Sequence, residues 1–134
     1  MPLLLDQPLT EAARRSVEED RELAVWWGSP IECASAVARL RREGALSAES
    51  ERAARGLLNT LRGAWFEIRP SEAVREHALR VLRLHALRAA DALQLAAALD
   101  WIGTPPDGAF LTLDDRLREA ALREGFQVPS AQPD

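Results

Sequence analysis

Three acidic residues stand out by type and place: Glu32, Asp91 and Asp114. Glu32 follows the apolar run Leu23–Trp27, Asp114 directly follows Ala109–Leu113, and Asp91 opens the apolar stretch Ala89–Trp101. If three such carboxylates meet, their mutual repulsion makes the empty site costly, and one or two divalent cations relieve it. Oxygen-only donors favour Mg2+ or Mn2+ over zinc, and no thiolate pair or histidine cluster stands nearby to change that preference. A cation so held activates water and neutralises charge on a transferring phosphate, which is the chemistry of phosphodiester hydrolysis.

Each acid also has a purely structural reading, because negative side chains are favourable where helices begin. Ser29-Pro30-Ile31-Glu32 combines an N-cap serine, a proline at the first helical position and a glutamate three residues after the cap, the pattern of a capping box. Asp114 fits an N-cap, and Asp91 can complement a helix dipole. Spacing alone leaves function undecided.

The elements that must gather these acids follow from periodicity. Leu9, Ala13 and Val17 recur at helical spacing around a capping Thr10 and predict a helix to Asp20. Leu23–Trp27 reads as a strand buried on both faces, and Ser29 opens a helix to Arg42 that Gly44 stops. Ser47 caps a further helix, with Ala53, Leu57 and Leu61 as its stripe and its end near Gly63. After a strand over Trp65–Arg69, Pro70 and Ser71 open a helix with Val74, Ala78, Val81, Leu82 and His85 on one face, broken around Leu87. Ala89–Trp101 is apolar almost all round, as a buried helix requires. A loop at Gly103–Gly108, a strand at Ala109–Leu113, a helix at Asp114–Arg123 and a short strand at Phe126–Val128 complete the pattern, with a frayed tail beyond.

Strands alternating with helices imply an α/β fold with a mainly parallel sheet covered on both faces, because parallel strands cannot be joined by hairpins. Ligands in such sheets collect beyond the carboxyl ends of the strands, where Glu32 and Asp114 fall. At 134 residues, 47% hydrophobic and 28% charged, the chain suits one folded domain over residues 1–134, too apolar for a disordered tail and without the uncharged run a membrane span needs.

Cys33 is the only cysteine, which excludes an intramolecular disulfide and a multi-thiolate metal site and fits a reducing cytoplasm. The opening residues lack a positive n-region, and their apolar run stops at Asp6, too early for a secretory signal. With 17 basic against 21 acidic residues the net charge is −4, which argues against whole-surface attraction to nucleic acid but allows a local arginine patch.

Three stretches resemble PIN domains, and more narrowly the VapC-type ribonuclease toxins of bacterial toxin–antitoxin pairs: Trp26-Trp27-Gly28-Ser29-Pro30-Ile31-Glu32-Cys33, Leu87-Arg88-Ala89-Ala90-Asp91-Ala92-Leu93-Gln94-Leu95-Ala96, and Leu111-Thr112-Leu113-Asp114-Asp115-Arg116-Leu117. The middle stretch is the most specific. The resemblance spans nearly the whole chain and implies a helix-rich three-layer α/β/α domain. It places Glu32, Asp91 and Asp114 on metal-site acids of the family, with Asp115 as a neighbour able to substitute or assist. It further implies Mg2+ or Mn2+ as cofactor, RNA as substrate, a cognate VapB-type antitoxin and a homodimer, with no membrane.

The family's opening strand, which ends in an aspartate ahead of a small hydroxyl residue and a first helix, has no clear counterpart. Leu3-Leu4-Leu5-Asp6-Gln7-Pro8 resembles the end of that first helix, so an upstream segment is expected. A second reading makes Pro2–Leu5 the strand and Asp6 its acid. A third makes the chain a catalytically inactive, truncated PIN-like module that binds an antitoxin or itself. A phosphoacceptor receiver module shares the layout but requires a lysine, and this sequence has none.

Other residues favour structural roles. His77 and His85 sit on or near an apolar helix face, where a histidine packs and bonds through one nitrogen. Cys33 reads as a small apolar filler, and Trp26, Trp27, Trp65 and Trp101 as core. Arg39, Arg41 and Arg42 complement a helix end and are available to phosphate, while Arg88, three residues before Asp91, is better placed to meet a phosphate or pair with an acid.

Overall fold

The structure, a computed structural model, describes residues 23–103, 108–110, 112 and 114–128. The expected helix at Thr10–Asp20, Asp6 and the tail beyond Val128 lie outside the described residues, as do parts of the Gly103–Gly108 loop and of the Ala109–Leu113 strand. The described chain is mixed α/β and helix-rich, with a two-stranded parallel sheet. Strand β1 (Ala24–Trp26) pairs with β2 (Phe66–Ile68): the Phe66 N–H donates to the Leu23 carbonyl, and the Trp27 N–H to that of Ile68.

Two compact units divide the described residues. The first holds Leu23 and residues 28–66, with helices α1 (Ser29–Arg42) and α2 (Ala48–Arg62). α1 begins one residue earlier than a capping box at Ser29 requires. Ser29 is itself helical and Gly28 is the cap, its carbonyl accepting from the N–H groups of Ile31 and Glu32. Pro30 tolerates this position because its missing N–H would have no helical partner. Gly44 follows the helix at φ 75°, a left-handed conformation that a side chain would resist.

In α2 the Ser47 side chain accepts from the Ser50 N–H, as its cap role predicts. The buried stripe is Ala54, Leu58 and Leu61, not the expected Ala53, Leu57 and Leu61; Ala53 is exposed and Leu57 half-buried. Both sets have helical spacing, and the sequence alone does not fix the helix's rotation about its axis. Cys33 is buried beside Ala36 and Val37 on α1, the place of a small core residue.

The second unit comprises residues 24–27 and the described residues from 67 to 128, with helices α3 (Glu72–Leu84), α4 (Ala89–Ile102) and α5 (Asp115–Glu124). Its core unites Val74, Ala78 and Val81 of α3 with Ala92, Leu95, Ala96 and Leu99 of α4 and Leu117, Ala120 and Ala121 of α5. The alanines of α4 leave little side-chain bulk on its buried surface, so neighbouring elements can pack closely around it. Leu82, expected on the buried face of α3, is exposed. Of the tryptophans, Trp65 is buried and Trp26 packs partly against this core, whereas Trp27 and Trp101 are exposed.

The end of the chain carries an isolated parallel bridge between Ala109 and Gln127 where two short strands are expected. The Phe110 N–H donates to the Gln127 carbonyl at 2.7 Å, and the Gln127 N–H to that of Gly108 at 3.0 Å. Gly125, at φ 105°, ends α5 in the left-handed region and turns the chain so that Phe126 reaches the core, 5.7 Å from Phe110 between ring centroids. Among the described residues no helix is long and apolar enough to cross a membrane.

Candidate functional site

A cleft of about 420 Å³ opens in the second unit, lined by Ala86, Arg88, Asp91, Asp114, Asp115 and Arg116. Two helix starts build it. Arg88 is the N-cap of α4 and Asp91 lies in that helix's first turn, while Asp114 is the N-cap of α5 and Asp115 and Arg116 are its first two residues. The cleft therefore gathers three of the four acids singled out in the sequence. The fourth, Glu32, belongs to the first unit, half-buried in the first turn of α1 and engaged in an interaction of its own.

The three aspartates are held differently. Asp114 Oδ1 accepts from the Leu117 N–H at 2.9 Å, the N-cap bond that its place before α5 predicts. Its own N–H donates to Oγ1 of the buried Thr112 at 3.1 Å, which fixes the backbone just ahead of the helix. Asp91 sits on α4 where its negative charge suits the helix dipole. Among the described residues its side chain accepts no hydrogen bond and forms no ion pair, and the same holds for the side chain of Asp115. Both carboxylate oxygens of Asp91 and of Asp115, and Oδ2 of Asp114, thus make no hydrogen bond or ion pair among the described residues.

The arginines are placed against electrostatic preference. A helix N-terminus carries a partial positive charge, so a cation in the first turn is unfavourable by roughly 0.3–1 kcal/mol. Arg88 and Arg116 both stand at such positions, and neither forms a salt bridge among the described residues. Arg116 is the cleft residue that sequence reasoning overlooked; its signal is a cation at the second helical position, two residues after a capping aspartate.

Among the described residues no three His, Cys, Asp or Glu side chains are grouped so that they could hold a metal ion. The donors that line the cleft are nonetheless oxygen donors open to water. That chemistry suits Mg2+, which keeps several of its waters and is held by one or two carboxylates together with substrate phosphates.

The histidine reading splits. His85, the C-cap of α3, is packed and bonded through one ring nitrogen, with Nε2 2.8 Å from Glu124 Oε2. His77 is half-buried on α3. No protein-family model and no curated protein sequence matches the chain.

Proposed function

We propose that this chain is a VapC-type toxin endoribonuclease of a toxin–antitoxin system, a cytoplasmic three-layer PIN-like domain that hydrolyses RNA phosphodiester bonds. One observation carries the reading: a single cleft brings together Asp91, Asp114 and Asp115 with Arg88 and Arg116, and among the described residues the side chains of four of these five take no part in hydrogen bonds or ion pairs. Unpaired charges of both signs suit a ligand that itself combines cation and anion, as a metal-bound phosphodiester does.

In this reading one or two carboxylates among Asp91, Asp114 and Asp115 would hold Mg2+ or Mn2+ together with substrate phosphates. A bound dication supplies Lewis-acid polarisation of the phosphate and an activated water. Arg88 and Arg116 donate to non-bridging phosphate oxygens, for which a guanidinium is shaped. A bound anion would further offset their unfavourable place at the helix starts. A homodimer and a VapB-type antitoxin are the partners this function calls for.

A second reading, a catalytically inactive PIN-like module that binds an antitoxin or itself, is favoured by the bond from the Leu117 N–H to Asp114 and by the lack of a three-ligand group among the described residues. Incubating the purified chain with RNA and Mg2+, Mn2+ or EDTA separates the two. The nuclease reading expects cation-dependent cleavage that Asp91→Asn abolishes while far-UV circular dichroism is unchanged. Cleavage that survives in Asp91→Asn rejects the assigned role. Absence of cleavage under every cation, with antitoxin binding retained, selects the binding module.

A further inference from the structure

We infer that Arg80, His85 and Glu124 form a lock that sets the separation of the cleft's two walls, which makes His85 and Glu124 positioning residues for the site proposed above. This role rests on that reading of the cleft, but its structural half can be tested without it.

The lock joins the ends of two helices. Arg80 on α3 donates to Glu124 Oε1 at 2.6 Å and to Oε2 at 3.3 Å, and His85 Nε2 lies 2.8 Å from Oε2. The side chains of His85 and Glu124 are only 8% and 10% exposed. Water therefore competes weakly for the bond between His85 and Glu124, and removing Glu124 leaves His85 without this partner. Among the described residues the remaining ion pairs on the two helices, Arg75–Glu72 and Arg123–Glu119, span a single turn of one helix and fix nothing between helices.

Both segments that the lock grips continue into the cleft. His85 immediately precedes Ala86 and lies three residues before Arg88, which line one side. Glu124 ends α5, whose N-cap and first residues, Asp114, Asp115 and Arg116, line the other. α5 acts as a lever about 15 Å long, at 1.5 Å per residue. A swing of about 4° around Glu124 displaces its far end by about 1 Å. Leu117, Ala120 and Ala121 anchor the middle of α5 in the core, and the lock adds the fixed point at its end. A misplacement of about 1 Å is enough to reduce turnover by about a hundredfold when reacting groups must be aligned.

The test compares wild type with Glu124→Ala, Glu124→Gln and Arg80→Met, with Arg75→Gln as control. Backbone amide chemical shifts are recorded for the full chain, and kcat and KM are measured for Mg2+-dependent RNA cleavage. Glu124→Ala is expected to move the amide resonances of Ala86, Arg88, Asp114 and Arg116 and to lower kcat by about ten- to a hundredfold, with KM changed by less than about threefold. Glu124→Gln retains an acceptor for Arg80 and is expected to recover part of both effects; Arg75→Gln leaves both at wild-type values. Shifts confined to residues 80–85 and 120–125, with kcat unchanged, overturn the lock and reduce the network to simple stabilisation. If Glu124→Ala does not fold, Arg80→Met is read in its place, with smaller displacements expected at the same four amides. If wild type cleaves no RNA, the nuclease reading fails and the amide shifts alone decide the lock.

Discussion

At one end of α5, Glu124 accepts from Arg80 at 2.6 Å and meets His85 at 2.8 Å; at the other, Asp115 and Arg116 face the cleft with no salt bridge among the described residues. The same ten-residue helix thus has one end whose charge is fully engaged and one whose charges are left open. Where ionic groups serve the fold, burial requires them to be paired, because an unpaired buried charge costs several kcal/mol. Charges that face solvent across a cleft carry no such requirement. Substitutions at the two ends should therefore separate a role in the fold from a role in the proposed function.

The largest expected effect lies at the open end. Asp91→Asn should lower RNA cleavage by more than about a hundredfold, beyond what loss of an outer-shell partner of a metal costs. It should change unfolding free energy by less than about 1 kcal/mol, since only a favourable dipole interaction is lost. A parallel drop in stability and activity would instead make Asp91 a structural residue.

The paired end should behave in the opposite way. Denaturant unfolding of Glu124→Ala should show a loss of about 2 to 3 kcal/mol, below the upper range for buried pairs because the Arg80 side chain is 39% exposed. The hydrogen bond from Arg80, foremost, and that of His85 hold the Glu124 carboxyl below the ordinary glutamate range, while its burial works against them. Because the folded pKa lies below the unfolded one, this stabilisation is fully present above the unfolded value and is lost as pH falls through the folded value. The stability difference between wild type and Glu124→Gln should accordingly shrink as pH falls through the glutamate range. A difference that grows on acidification would contradict the assignment.

Asp114 belongs to both roles. Asp114→Ala should cost about 1 kcal/mol through loss of the cap on α5, and Asp114→Asn, which can still accept the Leu117 N–H, should recover most of that stability but not cleavage. The smallest effect is expected at Arg75, whose ion pair with Glu72 leaves the two side chains 72% and 68% exposed. Thermal melting of Arg75→Ala should reveal a change below about 0.5 kcal/mol.

Much of the local structure was legible. Ser47, Ser71 and Asp114 each cap a helix as their side chains suggest, and the apolar stretch after Arg88 is a helix over Ala89–Ile102. Errors arose where two registers fit one pattern: Gly28 in place of Ser29 at the start of α1, and Ala54 and Leu58 in place of Ala53 and Leu57 in the buried stripe of α2. Of the cleft, the aspartates were legible because acids at helix starts form a recognisable pattern. Arg116 was passed over because a single surface arginine carries little signal by itself.

The sequence by itself located each described helix to within a few residues of its ends and the acids that stand near their starts, because capping and helical periodicity act over a few neighbouring residues. Only the tertiary structure decided that Asp91 shares a cleft with Asp114 and Asp115, and that Glu124 pairs with Arg80 and His85, which lie 44 and 39 residues away along the chain. Such pairings are set by how α3, α4 and α5 pack around a common core. Side-chain packing fixes the rotation and approach of each helix, and with them which charges are brought together and which are left open to solvent.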